Sequence, residues 1–366
     1  MDIICSKQNL LDAVSNVIHA VSSKSTLPSL EGILLKASGS SLFLAGYDLE
    51  LGITTTIEAD VKKEGSIIIT ARLFHDILRK SSDSTVHITA DGAMHVTIQS
   101  GLSEFNLVGI SASEYPEIPN VDDGAGIVLA QSLLKSMIDQ TKFAIAKTDN
   151  RPVHTGTKFE IRENLIRLVS VDGSRLAMRS EQIKTSEVLD FVVPGKTLFE
   201  IIKLLKDDDT PVSIAIGRRH IVLEINGYAV ISRLLDGEFL PYDKAIPKDH
   251  TTEVIINTRD VISAVERASL MISDRIKSPL ICLFADDEIK FSCTTPLGSA
   301  QDVVSAKIDG EDQEMGINSL FILDALKNTD SDEVKIQLSG ALSPMKIVPK
   351  EGESFLFLVL PVRLKR

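Results

Sequence analysis

The chain has few of the residues from which cross-links and metal centres are built. Its 366 residues include three cysteines and no tryptophan, and aromatic residues make up 5% of the total. Cys5, Cys282 and Cys293 are scattered and show no CxxC spacing, so neither a disulfide framework nor a zinc site is predicted. We expect these cysteines to fill apolar positions in strands, and we expect no metal and no cofactor.

Short catalytic motifs are also missing. The sequence contains no GxxxxGK[ST], GxGxxG, HExxH or GxSxG, so phosphate loops, dinucleotide folds, zinc proteases and hydrolase elbows lack their defining residues. His87 and His95 could face each other across a hairpin, but a solvated or packed pair is the favoured interpretation. The acidic runs 207–209 and 286–288 are interpreted as solvated turns rather than metal sites. The chain is therefore not expected to be an enzyme.

No apolar stretch reaches membrane-spanning length, and the start of the chain lacks a charged region followed by a long apolar run. We therefore expect a cytoplasmic protein. Hydrophobic residues make up 43% and charged residues 25% of the chain, which is typical of a globular protein long enough for two or three domains.

The most informative feature is an internal repeat. The segment 198–209 reads as a short amphipathic helix followed by an acidic break, because Leu198, Ile201 and Leu205 fall on one helical face. Related versions occur at 73–80 and 320–327, and each is followed by an alternating strand. A helix and a strand that recur three times in 366 residues predict a triplicated chain.

Each third of the chain follows the same order of elements. Helical spacing at 9–18, 133–138 and 261–266 precedes alternating segments, and an Asp91-Gly92 hairpin signal follows the helix at 73–80. Proline-bounded linkers at 114–119 and 239–247 separate the thirds. The predicted fold class is α+β, with antiparallel sheets covered on one face by two helices per repeat. The predicted domains are 1–120, 121–250 and 251–366.

Charge is distributed unevenly between the predicted helices and the rest of the chain. The net charge is −12, which ordinarily argues against nucleic-acid binding. The six predicted helical windows together carry +8, so the remainder carries −20. Basic helices on acidic sheets suggest that the helices face an anion.

Several short motifs resemble those of one family. They are Thr26-Leu27-Pro28, Gly46-Tyr47-Asp48-Leu49-Glu50, Val171-Asp172-Gly173-Ser174-Arg175-Leu176, Leu235-Asp236-Gly237-Glu238-Phe239 and Leu360-Pro361-Val362-Arg363-Leu364. In this order, on a triplicated chain of this length, they resemble the bacterial DNA polymerase beta sliding clamps. The resemblance covers the full length.

The resemblance implies three similar clamp domains per chain, and two chains that close head to tail into a ring around duplex DNA. Helices would line the hole and sheets would form the outside. Such a ring tethers the replicative polymerase and other replication and repair proteins, and it catalyses no reaction. Two rival interpretations are a sheet-rich oligomeric scaffold without a DNA role and a hydrolase that uses scattered acids. The basic helices count against the first, and the missing nucleophile motifs count against the second.

The resemblance also implies three sets of site residues. Sequence-independent DNA contact is expected from Lys24, Arg72, Arg79, Lys80, Lys142, Lys147 and Lys196. The dimer interface is expected to bring Phe105 of one copy against Leu270 and Met271 of the other. A pocket for an extended partner peptide, from polymerases or the clamp loader, is expected from His154, Val171, Gly173, Ser174, Arg175, Leu176, Tyr242, Lys244, Ala245, Pro344, Met345, Leu358, Leu360, Pro361, Val362, Arg363 and Leu364.

Two features depart from the family pattern. His154 stands where an apolar residue is usual, and it is expected to make the rim of the pocket more polar and pH-sensitive. Lys365 and Arg366 extend past the usual terminal leucine. Arg175 or Arg363 is expected to bond the carbonyls or the carboxylate of the bound peptide.

Overall fold

The computed structural model describes residues 1–121, 125–273, 276 and 278–364. Six α-helices occur in this part of the chain. They are α1 Lys7–Val17, α2 Ala71–Lys80, α3 Gln131–Lys142, α4 Gly195–Leu204, α5 Thr258–Ala268 and α6 Ser319–Lys327. No helix in the described ranges is long and apolar enough to cross a membrane.

Strands account for most of the remaining regular structure. They are β1 Asp2–Ser6, β2 Gly32–Ser38, β3 Ser41–Tyr47, β4 Leu51–Glu58, β5 Asp60–Lys63, β6 Gly65–Thr70, β7 Thr85–Ala90, β8 His95–Ser100, β9 Ser103–Val108, β10 Ala125–Ala130, β11 Gly156–Arg162, β12 Leu165–Val171, β13 Arg175–Gln182, β14 Leu189–Pro194, β15 Pro211–Ile216, β16 His220–Ile225, β17 Tyr228–Arg233, β18 Thr252–Asn257, β19 Leu280–Ala285, β20 Glu288–Thr295, β21 Gly298–Ser305, β22 Lys307–Gly310, β23 Gln313–Ile317, β24 Glu333–Leu338, β25 Met345–Pro349 and β26 Phe355–Val359.

These strands form four sheets in which neighbouring strands are antiparallel. The strand orders are β5-β1-β7-β8-β9, β10-β15-β16-β17-β4-β3-β2-β6, β14-β11-β12-β13-β26-β25-β24-β18-β22 and β21-β20-β19-β23. The two largest sheets each join strands from successive thirds of the chain, through β17 against β4 and through β13 against β26. Backbone hydrogen bonding therefore continues across the repeats.

The chain divides into two compact units. One contains Met1–Leu133 and Phe199–Leu234, and the other contains Leu134–Leu198 and Leu235–Arg366. In the second unit, α5 and α6 pack on the sheets and bury a core that includes Val261, Ile322 and Phe357. This division does not follow the three thirds, because each large sheet takes strands from two of them. The domain boundaries near residues 120 and 250 stay a prediction.

The predicted order of elements is confirmed. Helices occur at every predicted position, and each is followed by strands at the predicted alternating segments. Local capping explains several helix starts: the side chains of Ser6, Asn257 and Asn318 accept hydrogen bonds from backbone N–H groups in the first turns of α1, α5 and α6. The capping side chains satisfy donors that a helix leaves unpaired.

The Asp91-Gly92 hairpin is confirmed, with a turn longer than a two-residue connection. β7 ends at Ala90 and β8 begins at His95, and Met94 takes a positive φ of 66°. An Asp91 oxygen accepts hydrogen bonds from the N–H groups of Ala93 and His95. The two histidines do not face each other: His87 lies opposite Gln99, and its ring bonds Asp2 instead.

The acidic runs lie in turns. Asp286 and Asp287 form the connection between β19 and β20, with φ values of 53° and 54°. This left-handed conformation suits a tight hairpin and is tolerated by aspartate. Asp208 accepts a hydrogen bond from the backbone N–H of Thr210, and Asp209 accepts one from Ser132. These contacts assign the acids a local structural role.

Two short 3₁₀ turns are a further part of the internal repeat, which the sequence patterns did not identify. Pro28–Glu31 and Pro152–Thr155 lie 124 residues apart. The residue before each turn has nearly the same backbone angles, with φ and ψ of −105° and 105° in one and −107° and 104° in the other. Leu30 and His154 are therefore equivalent positions.

Candidate functional site

The candidate peptide pocket lies where the second and third thirds of the chain share a sheet. In this junction Leu176 of β13 lies opposite Leu358 of β26, and Met178 lies opposite Leu356. These side chains belong to an apolar cluster that is separate from the helix-covered core. Because side chains alternate along a strand, Leu356 and Leu358 point to this cluster while Phe355 and Phe357 point to the helices.

The linker after β17 closes one side of this cluster. Phe239 and Tyr242 are buried in it, and Tyr242 begins a short 3₁₀ turn. The Tyr242 hydroxyl donates a hydrogen bond to Glu160 and accepts one from Arg167 at 3.1 Å. Burial, reinforced by Glu160, raises the pKa of the Tyr242 phenol well above its usual range. The linker is thus fixed to the sheet by a neutral phenol within a charged network.

Arg175, one of the two arginines predicted to bond a peptide, makes several contacts within the chain. Its Nε donates to Asp172 at 2.8 Å, and its Nη1 donates to Asp324 of α6. The guanidinium also lies 4.5 Å from the centre of the Phe321 ring, and the side chain is only 12% exposed. These contacts engage Nε and Nη1 of the guanidinium, whereas Arg363 is exposed.

The C-terminal segment after β26 borders the cluster through backbone contacts. The Leu360 N–H donates to the Ser174 carbonyl at 2.9 Å, and the Val362 N–H donates to the Gly316 carbonyl at 2.8 Å. The side chains of Leu360 and Val362 are 41% and 40% exposed. An ordered tail therefore presents apolar groups to solvent beside the cluster. Lys365 and Arg366 lie outside the described residues.

His154 is buried rather than placed at a rim. Its Nδ1 lies 3.0 Å from Asp149, and its ring packs edge-on against Phe239 at 5.6 Å. The backbone N–H of Arg151, followed by the His154 ring, lowers the pKa of the Asp149 carboxyl. The second ring nitrogen, Nε2, is buried and has no hydrogen-bond partner among the described residues. The structure therefore corrects the expectation of a polar rim, because the imidazole of His154 is buried against the Phe239 ring.

The other predicted pocket residues lie in several different environments. Val171, Leu176, Tyr242 and Leu358 meet in the apolar cluster, Gly173 forms an exposed turn beside it with φ +83°, and Lys244 and Ala245 are exposed on the linker. Met345 is fully buried in the helix-covered core, so it cannot touch a peptide, whereas its neighbour Pro344 is half-buried. Sequence reasoning missed Met178 and Leu356, which period-two alternation from Leu176 and Leu358 could have identified.

The residues expected to bind DNA all reach solvent. Arg72, Arg79 and Lys80 are exposed on α2, and Lys24 lies in the loop after α1. In the second unit, Lys147 and Lys196 are exposed and Lys142 is half-buried at the end of α3. Lys142 pairs with Asp139, and Arg79 pairs with Asp76 at 3.0 Å. Sequence reasoning omitted Arg259, which is exposed at the start of α5.

Two edge strands carry the residues expected at a dimer interface. β9 is the edge of the five-stranded sheet and holds the half-buried Phe105, with Val108 76% exposed. β21, with eight residues, is the edge of the four-stranded sheet. Leu270 is 81% exposed, and Met271 lies beside Gly298 at the start of β21. An unpaired edge with apolar side chains is a template for pairing with another chain.

Comparison with known protein families gives matches along nearly the whole chain. Residues 1–119, 128–241 and 243–363 match the N-terminal, central and C-terminal domains of the DNA polymerase III beta subunit. The chain is 33% identical over 371 residues to the beta sliding clamp of Bacillus subtilis, covering 98% of each. It is 30% identical to that of Staphylococcus epidermidis, covering 99% of each.

Solved structures give the same result. A putative DNA polymerase III beta subunit from Eubacterium rectale is 37% identical, with a TM-score of 0.96 and 99% of each chain covered. The sliding clamp of Bacillus subtilis is 31% identical, with a TM-score of 0.97 and full coverage of both. A sliding clamp from Pseudomonas aeruginosa bound to griselimycin is 26% identical, with a TM-score of 0.94 and full coverage of both.

Proposed function

The chain belongs to the family of bacterial beta sliding clamps, the DNA polymerase III beta subunits, and from this we propose that two copies close head to tail into a ring. The chain has three clamp domains and acts as a DNA sliding clamp. We propose that the ring encircles duplex DNA without reading its sequence and tethers the replicative polymerase, the clamp loader and repair proteins. It does so in the cytoplasm, without a cofactor and without catalysing a reaction.

The observation that carries the dimer proposal is the pair of incomplete sheets. Within the chain, β4 pairs with β17 and β13 pairs with β26, so two repeat junctions are closed. The strand equivalent to β4 and β13 in the third repeat is β21, and the strand equivalent to β17 and β26 in the first repeat is β9. Each of these lies at a sheet edge. A second copy supplies the missing partner for both edges.

The internal repeat also gives the register of this pairing. Leu51 lies opposite Ser232 in one junction, and Arg175 lies opposite Val359 in the other. If the pairing of β21 with β9 of a second copy follows the same register, Gly298 is expected opposite Leu107 of that copy. Phe105 then lies opposite Ala300. Met271, beside Gly298, is close to that position, which supports the expected contact of Phe105 with Leu270 and Met271.

We assign partner binding to the apolar cluster at the junction of β13 and β26. Extended peptides with one or two large apolar side chains suit a groove between a sheet and an ordered tail. Leu360 and Val362 supply exposed apolar surface there, and Arg363 supplies a cation. We assign sequence-independent DNA contact to the predicted cations that reach solvent, because they carry positive charge on a chain of net charge −12: Lys24, Arg72, Arg79, Lys80, Lys142, Lys147 and Lys196.

A topological assay tests the function. The protein, loaded by its cognate clamp loader, is expected to co-elute with nicked circular plasmid in gel filtration and light scattering. Cutting the plasmid once should release it, because a ring slides off a free end. If the protein stays bound after linearisation, or never associates with the circle, encirclement is wrong. In the second case the rival scaffold without a DNA role is favoured.

A further inference from the structure

A second groove lies in the unit formed by Leu134–Leu198 and Leu235–Arg366. It has a volume of about 840 Å³ and crosses the nine-stranded sheet on β12, β13, β26, β25 and β24. Met178, Val348 and Leu356 form an apolar floor, and Ile246 of the linker lines one side. This groove, called here the flank groove, shares no residue with the predicted pocket set.

The flank groove is continuous with the candidate peptide pocket. Met178 follows Leu176 by two residues on β13, and Leu356 precedes Leu358 by two on β26, so all four side chains lie on one face. The same apolar cluster contains residues of both the pocket and the groove floor. A chain leaving the pocket along this face would enter the groove without crossing a ridge of polar strand residues.

The rim of the flank groove offers more positive than negative charge to a ligand. Lys346, half-buried opposite Leu358, has no carboxylate within 4 Å in the described part of the chain. Lys335 is 3.8 Å from Glu253, and Arg167 is 3.7 Å from Glu160. The lining acid Glu181 is already bonded by Arg179, which leaves Glu353 as the other lining carboxylate. The rim therefore suits an anionic side chain.

We propose that the flank groove binds the residues next to the apolar motif of a partner polypeptide. The occupant is an extended segment with an acidic side chain that pairs with Lys346 and an apolar side chain that rests on Met178 and Val348. This inference rests on the proposed function, because it requires the motif to occupy the neighbouring pocket. Partners with such a flank are then selected over partners that carry the motif alone.

The test compares three synthetic peptides by fluorescence anisotropy. One is a Gln-x-x-Leu-Phe motif alone, and the others extend it on the N-terminal or the C-terminal side with alternating aspartate and leucine. One extended peptide is expected to bind wild-type protein about fivefold more tightly than the short one, a gain of the size expected for a partly exposed ion pair with apolar contact. Lys346→Glu should remove this gain and leave the short peptide unchanged.

Controls separate this inference from the pocket itself. Lys184→Glu, at an exposed lysine of the same unit outside the groove, should keep the gain. An extended peptide with lysine in place of aspartate should bind Lys346→Glu better than wild type. If both extended peptides bind wild type no more tightly than the short one, the flank groove is not a binding site. If the short peptide itself fails to bind, the pocket assignment is wrong and this inference fails with it.

Discussion

Two equivalent residues, Leu30 and His154, show how one repeat position supports two chemistries. Leu30 is 2% exposed and His154 is 7% exposed, each in a 3₁₀ turn ended by glycine. Leucine needs no hydrogen-bond partner in this turn. The histidine ring has a partner at Nδ1, which is Asp149, but its buried Nε2 has none among the described residues. A buried nitrogen without a partner costs stability.

The first prediction follows from this comparison. His154→Leu is expected to stabilise the protein by about 1 kcal/mol, because removing the unpaired nitrogen outweighs the loss of one hydrogen bond to a solvent-accessible carboxylate. The measurement is the urea midpoint at fixed protein concentration, with an unchanged slope. The matched change Leu30→His, which introduces two buried nitrogens without a carboxylate, should destabilise by about 3 kcal/mol. Equal effects of the two changes would contradict this account.

Residue roles were the least predictable from sequence. The motif around Arg175 predicted a peptide contact for this side chain, whereas the ion pair with Asp324 joins positions 149 residues apart, and no local pattern indicates such a contact. Met345 was placed in the pocket although strand alternation turns it to the helix-covered core. Its apolar character fits either face, so only the register with Val359 decides between them.

Elements were predicted far better, since helical and strand periodicities differ and each pattern occurs three times. Because the pattern repeats, the predictions of the hairpins that contain β7, β12 and β16 supported one another. Sequence could not give the pairing of β4 with β17 or β13 with β26, because each joins strands more than 170 residues apart. Long-range pairing depends on surfaces that form only on folding.

The second prediction tests the register at the proposed dimer interface. Glu104→Cys with Gln301→Cys is expected to form a disulfide between copies under mild oxidation, because the proposed register sets these exposed positions opposite each other. Non-reducing electrophoresis should show a covalent dimer. Asn106→Cys with Gln301→Cys, shifted by two residues on the same face, should cross-link poorly. Equal cross-linking by both pairs would contradict the register.

The third prediction concerns the apolar contact beside that interface. Replacing Leu270 and Met271 together by serine should yield monomers in sedimentation, because both side chains are expected to lie against Phe105 of the other copy. Leu342→Ser is the matched control, since Leu342 is 76% exposed in the turn between β24 and β25, which belong to a different sheet from β21. An unchanged dimer mass for the double variant would show that Leu270 and Met271 do not form the interface.

The fourth prediction concerns the C-terminal segment as an element. Deleting Leu360–Arg366 removes the backbone bonds to Ser174 and Gly316 together with the exposed side chains of Leu360 and Val362. Binding of a Gln-x-x-Leu-Phe peptide should be lost while the dimer persists, because neither β9 nor β21 includes these residues. Calorimetric titration and sedimentation measure the two properties. Parent affinity in the truncated protein would place the groove elsewhere.

At the scale of the whole molecule, charge and topology have to be reconciled. A net charge of −12 repels DNA, yet cations concentrate on helices such as α2, which exposes Arg72, Arg79 and Lys80. A ring around DNA needs only weak contacts with it, because enclosing the duplex, rather than binding it tightly, keeps the ring from dissociating. Weak, sequence-independent contacts with phosphate also let the ring move along the duplex.

The last prediction measures those contacts. Affinity for primed linear DNA should fall steeply with salt, and each phosphate contact should contribute about −0.9 to the slope of log affinity against log salt. Lys80→Gln removes one positive charge. The slope should then become shallower by about 0.9 for each phosphate contact that Lys80 makes, with no change in base preference. Lys62→Gln, which removes an exposed lysine already paired with Asp60 on β5, should leave the slope unchanged. A slope that is insensitive to Lys80 but sensitive to Lys62 would move the DNA-facing surface from the helices to the sheets, and with it the orientation of the ring.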